Sequence, residues 1–242
     1  MTDKSLAGRI AVVTGASRGI GRASALALAK AGAHVIAVAR TQGALEALDD
    51  EILAATGERA TLVPMDLTDG KACDLLGAAI YERWGKLDIL VHAAAELGVI
   101  TPVGHTEPRT FERIVNINLT STWRLLRSFD PLFQRAEAAR LIILTTGIAT
   151  APKAFWGAYA ASKAGMEALV HVYADEVENT PIRATLLSPG PMRTKMRATA
   201  FPGEDPDTLT PPEAIGPLVL ELARADKVPP ARVNFREWAG LN

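Results

Sequence analysis

The segment Thr14-Gly15-Ala16-Ser17-Arg18-Gly19-Ile20-Gly21 constrains this chain more than any other, because an apolar run at residues 9–13 precedes it and a helix-forming stretch through Ala23, Leu26, Ala27 and Ala31 follows. Glycines at this spacing, with strand before and helix after, build a turn whose backbone can approach a pyrophosphate. Gly15 permits the sharp exit from the strand, Gly19 admits the anion, and Gly21 lets the helix lie close on the sheet. The free N–H groups and positive dipole end of the helix then favour negative charge. A second buried run, residues 33–39, places this turn inside a strand, helix, strand unit rather than at an isolated bend.

Further strand-like runs at residues 60–64, 88–91, 140–145, 182–187 and 232–235 alternate with helix-like stretches. That alternation predicts an α/β fold, a doubly wound parallel sheet covered on both faces, with the reactive groups beyond the carboxyl ends of the strands. At 242 residues and 48% hydrophobic, the chain is expected to form a single domain over residues 1–242. A net charge of −1 gives no reason to expect nucleic acid or an anionic membrane as partner. The lone Cys73 excludes an internal disulfide, and His34, His92, His105 and His171 have no metal-ligand spacing, so no metal is expected. Residues 1–8 are short and polar, unlike a signal peptide, and no apolar run is long enough to span a bilayer, so a soluble cytoplasmic protein is expected. The longest loop-like stretch is 193–212, rich in Pro, Thr and Asp.

Tyr159 and Lys163 stand four positions apart in a stretch rich in helix formers. One helical face therefore presents both. A free phenol has a pKa of about 10, and a neighbouring ammonium favours its phenolate. The pair thus reads as a proton donor and the lysine that tunes it.

These patterns, in this order and separation, resemble the short-chain dehydrogenase/reductase family over about residues 8–195. The resemblance implies a Rossmann-type fold, a nicotinamide cofactor, and a catalytic set of Asn118, Thr146, Tyr159 and Lys163. Thr146 stands thirteen positions before the tyrosine where serine is usual, keeping the hydroxyl and adding a methyl. Cofactor contacts are implied for Gly15, Ser17, Arg18, Gly19, Ile20, Ala93 and Ala94, for the adenine pair Asp66 and Leu67, and for Pro189, Met192 and Thr194 beside the nicotinamide carboxamide. The resemblance also makes residues 193–212 a lid over the substrate, and implies a homo-oligomer.

Two departures stand out. The family's Asn-Asn-Ala-Gly is His92-Ala93-Ala94-Ala95 here, with His92 reading as a core or strand-end residue, and the usual closing segment gives way to residues 232–238. At the end of the second strand, where an acidic residue would favour NAD, the chain has Ala39 and Arg40. Two guanidiniums, Arg18 and Arg40, with no carboxylate beside them suit the 2′-phosphate of NADP. The expected reaction is NADP(H)-dependent interconversion of a carbonyl and an alcohol on a small molecule. Phe155, Trp156, Met192, Met196, Phe201 and Leu209 suggest that this substrate is partly apolar. A basic run of Arg193, Lys195 and Arg197 keeps open a 3-oxoacyl thioester reductase. The altered 92–95 segment keeps open a non-catalytic NADP(H)-binding sensor or assembly module.

Overall fold

In the computed structural model, which describes residues 4–241, every one of these apolar runs is a strand. They are β1 (Ile10–Thr14), β2 (His34–Ala39), β3 (Thr61–Pro64), β4 (Ile89–His92), β5 (Arg140–Leu144), β6 (Arg183–Ser188) and β7 (Arg232–Asn234). All pair in parallel, in the order β3-β2-β1-β4-β5-β6-β7. The helices between them are α1 (Gly19–Lys30), α2 (Gln42–Thr56), α3 (Gly70–Trp84), α4 (Pro108–Val115), α5 (Ser121–Phe133), α6 (Gly147–Thr150), α7 (Gly157–Glu176), α8 (Lys195–Ala200), α9 (Gly216–Ala223) and α10 (Phe235–Trp238). Sheet order reverses between β1 and β4, which opens a crevice at their carboxyl ends.

Strand side chains alternate between two cores, as a sheet covered on both faces requires. Ala11 and Val13 face Leu28 of α1, Leu45 and Leu48 of α2 and Leu218 and Leu222 of α9. Ile10 and Val12 face Ile80 of α3, Phe129 and Phe133 of α5, and Met166 and Val170 of α7. The two cores clamp the sheet and leave the loop-bearing ends of its strands to position chemistry.

Two irregular features matter for the site. Between α4 and α5 the chain makes a π-helical turn, Asn116–Thr120, a deviation that often marks functional positions. Beyond α9, the Arg140 guanidinium donates to the carbonyls of Arg224, Ala225 and Lys227 at 2.9–3.0 Å, steering the chain toward β7. Phe235 then anchors the segment in the core, 3% exposed.

Candidate active site

A cavity of about 510 Å³ opens at the crevice, between the glycine turn, the ends of β2, β3 and β4, and the face of α7 that carries Tyr159 and Lys163. Its floor is backbone held very close. Gly15 has φ +67°, and a Cβ there would stand 2.8 Å from the Ala94 nitrogen; one at Gly21 would stand 2.3 Å from the Gly15 carbonyl oxygen. Helix α1 begins without a side-chain cap and without an acidic residue in its first turn. Its N–H groups and positive dipole end are therefore uncompensated by the protein, a donor set suited to a pyrophosphate. Gly15, Ser17, Arg18, Gly19, Ile20, Arg40, Asp66, Leu67, Ala93, Ala94, Tyr159, Lys163, Pro189 and Thr194 all line this one cavity. Shape and donors together fit a dinucleotide.

The surroundings of Arg40 correct one expectation. No carboxylate adjoins it in sequence, yet the fold brings two. Its Nη1 lies 3.0 Å from Glu96 Oε1 and 4.0 Å from Asp66 Oδ2, and Glu96 also takes Arg113 Nε at 2.8 Å. Pairing of β2 with β3 delivers Asp66, and the turn after β4 delivers Glu96. Thr68 donates to Asp66 Oδ1 through both its amide and its hydroxyl. Partial burial would push the Asp66 carboxyl up, but these bonds and Arg40 hold it below the usual range.

At the other end, Tyr159 is 8% and Lys163 3% exposed. Lys163 Nζ donates to the Leu144 carbonyl at 2.8 Å rather than to the phenol. Burial pushes the phenol up to about 12 and the lysine down to about 8, the latter opposed by the charge of Glu167. The direction at the phenol is thus opposite to the expected one, because desolvation acts there with no ammonium bonded to it. Beside the hydroxyl is an apolar wall: Met196 Sδ at 3.9 Å, and Trp156 with its ring 5.9 Å from those of both Tyr159 and Phe201.

Three expected site residues do not line the cavity. Thr146 caps α6, its hydroxyl oxygen accepting from the Ile148 N–H at 3.2 Å while its own proton stays free to donate. Asn118 is fully buried, accepting from the Glu96 N–H and donating to the Glu96 carbonyl, both at 2.9 Å, and donating to Ser162 Oγ at 3.0 Å. It braces the exit of β4 against α7. Met192 is 2% exposed in the core, and its carbonyl accepts from the Thr194 N–H. Thr194 itself caps α8.

Residues 193–212 fold back on themselves through a bridge between Met192 and Thr210. The basic run there is largely neutralised. Arg197 pairs with Glu204 and stacks 3.7 Å over Phe201, and Arg193 pairs with Asp207 at 3.3 Å.

His92 is buried, hydrogen-bonding through Nδ1 with Thr14 Oγ1 at 2.8 Å, while its Nε2 has no partner. Burial, aided by Lys163, pulls it down to about 3, so it is neutral at ordinary pH and acts as core. Among the described residues, no group of three His, Cys, Asp or Glu could hold a metal, and no helix is long and apolar enough to cross a membrane.

Sequence reasoning did not single out Thr145, Glu96 or Glu167. Thr145 lines the cavity and donates its hydroxyl to Glu167, which also receives Arg232 at 2.8 Å. The readable signal was spacing: Glu167 follows Lys163 by four, as Lys163 follows Tyr159.

The family model described as short chain dehydrogenase matches residues 9–205. A relative from Escherichia coli K12, named uncharacterized oxidoreductase YciK, is 36% identical over 90% of this chain and 87% of its own. An Arabidopsis thaliana relative, named NADPH-dependent aldehyde reductase-like protein, chloroplastic, is 31% identical over 93% of this chain and 86% of its own. The crystal structure of a short chain dehydrogenase from Shigella flexneri 2a, complexed with NADP, superposes with a TM-score of 0.92 at 34% identity, covering 96% of this chain and 98% of that one.

Proposed function

The chain belongs to the short-chain dehydrogenase/reductase family of oxidoreductases, and on that premise we propose that it reduces a carbonyl on a small, partly apolar molecule, reversibly, with NADP(H). One observation carries this reading: Tyr159 and Lys163 line the same cavity as the glycine turn, so proton handling and dinucleotide binding share one space. Similarity to the NADP-complexed structure and the presence of Arg18 and Arg40 on the cavity wall support NADP(H). When bound, the nicotinamide supplies or accepts the hydride.

The protein's own groups do the rest. With its phenol near 12, Tyr159 is a protonated acid at neutral pH, and it donates that proton to the carbonyl oxygen as the oxygen gains charge. Lys163 is charged below about 8 and stabilises the phenolate left behind. Thr146, outside the cavity lining but next to the cavity residue Thr145, keeps a free hydroxyl proton and is the group proposed to share the substrate oxygen. Asn118 positions rather than reacts, tying residue 96 to Ser162 beside Lys163. Trp156, Met196 and Phe201 offer the substrate an apolar wall next to the phenol. With Arg193 and Arg197 paired inside the lid, an anionic carrier has only Lys195 of that run to meet, which favours a small carbonyl over a carrier-bound thioester.

The test is a panel of aldehydes, ketones and alcohols with each cofactor, followed by absorbance of the reduced nicotinamide. Turnover of apolar aldehydes or ketones with NADPH, above that with NADH, is expected. Tight NADPH binding without turnover would instead make the protein a cofactor sensor, and faster turnover with NADH would reject the cofactor assignment.

A further inference from the structure

Behind Thr145 lies a charge pair, buried at its carboxylate and open to solvent at its guanidinium, that the proposed reaction does not use. Glu167 is one helical turn beyond Lys163 on α7 and 7% exposed. One carboxylate oxygen accepts from Thr145, the cavity residue at the end of β5, and the other takes Arg232 Nη1 at 2.8 Å from β7. A carboxylate is costly to bury, and this one sits one helical turn from the lysine of the site, where its charge favours the ammonium. Arg232 begins the closing segment in which this chain departs from the pattern it otherwise resembles.

We propose that Glu167, held by Arg232, is a positioning residue for Lys163 and Thr145, so that the C-terminal strand acts on the proton-handling end of the cavity. The proposal rests on the reading of Lys163 as the partner of Tyr159. The groups facing Lys163 are few. On α7 they are Tyr159, Glu167 and the uncharged Met166, whose Sδ is 3.6 Å from Lys163 Nζ; from β4 comes His92, which is neutral; β5 offers the Leu144 carbonyl and, just past its end, Thr145; β7 contributes Arg232 only through Glu167. Of these, Glu167 is the group whose charge favours the ammonium against the effect of burial. Removing that carboxylate charge makes Lys163 lose its proton at lower pH. Removing Arg232 leaves the carboxylate unopposed and does the reverse.

The experiment compares the pH dependence of kcat for carbonyl reduction in the parent, Glu167→Gln and Arg232→Gln chains. In Glu167→Gln the alkaline limb is expected to move down by about half to one pH unit. In Arg232→Gln it is expected to move up by roughly a few tenths, with KM for NADPH within about twofold in both. Arg232→Lys keeps the charge and should restore the parent profile. Should Glu167→Gln not fold, the contrast between Arg232→Gln and Arg232→Lys decides alone. If the parent turns over no carbonyl, the reductase reading fails separately; the pH dependence of NADPH affinity, read by fluorescence of the bound cofactor, then carries the same comparison. Limbs that stay in place, or move the same way in both charge-removing variants, overturn the proposal.

Discussion

Burial pulls Tyr159 and Lys163 apart in their proton affinities, the phenol toward about 12 and the amine toward about 8. Below pH 8 the site therefore holds a neutral phenol and, one helical turn further along α7, an ammonium, the state needed to protonate a carbonyl. Reduction is expected to be fastest near neutrality and to fall above about pH 8, while alcohol oxidation, which needs the phenolate, rises with pH. Initial rates in both directions across pH 6–10 check this. At Arg40 the prediction concerns cofactor choice. Glu96 occupies the guanidinium that a 2′-phosphate would need, and a half-exposed ion pair is worth at most about 1 kcal/mol. Glu96→Gln should then tighten NADPH by up to about fivefold and leave NADH nearly unchanged, as fluorescence titrations would read. His92 gives a stability prediction. Its pKa falls from 6.5 unfolded to about 3 folded, so the unfolded chain binds the extra proton between those values. Stability is intact above pH 6.5 and is lost toward pH 3, by at most about 1.4 kcal/mol per unit from this group. His92→Asn should flatten that slope in urea unfolding.

At the scale of elements, the site depends on how closely α1 approaches the sheet. A Cβ at Gly21 would meet the Gly15 carbonyl oxygen at 2.3 Å, and both partners are backbone that cannot swing away. Gly21→Ala is expected to push the glycine turn open, weaken NADPH binding more than tenfold and cost about 1–3 kcal/mol. Calorimetric titration and thermal unfolding measure the two. A variant that binds like the parent would mean that this approach does not shape the cavity. The π-helical turn at Asn116–Thr120 serves the opposite edge, where it sets Asn118 to bridge Glu96 and Ser162.

Across the whole molecule, what was legible was local. The seven strands show as apolar runs between breakers, the glycine turn as three glycines four and two positions apart, and the Tyr159 and Lys163 pair as one helical face. What was not legible depends on sheet order. Glu96 is 56 positions from Arg40 and Arg232 is 65 from Glu167, so these pairs exist only once β1 lies between β2 and β4 and β7 lies beside β6. The family resemblance pointed to Thr146, Asn118 and Met192, but not to the capping, bracing and core packing that use their polar groups or bury them. The Tyr159 hydroxyl is the centre of the proposed chemistry, and its most direct test pairs NADPH binding with single-turnover carbonyl reduction in Tyr159→Phe. Binding within about twofold of the parent, with the reduction rate down at least about 100-fold, is the result predicted. Reduction at a rate close to the parent's would contradict it.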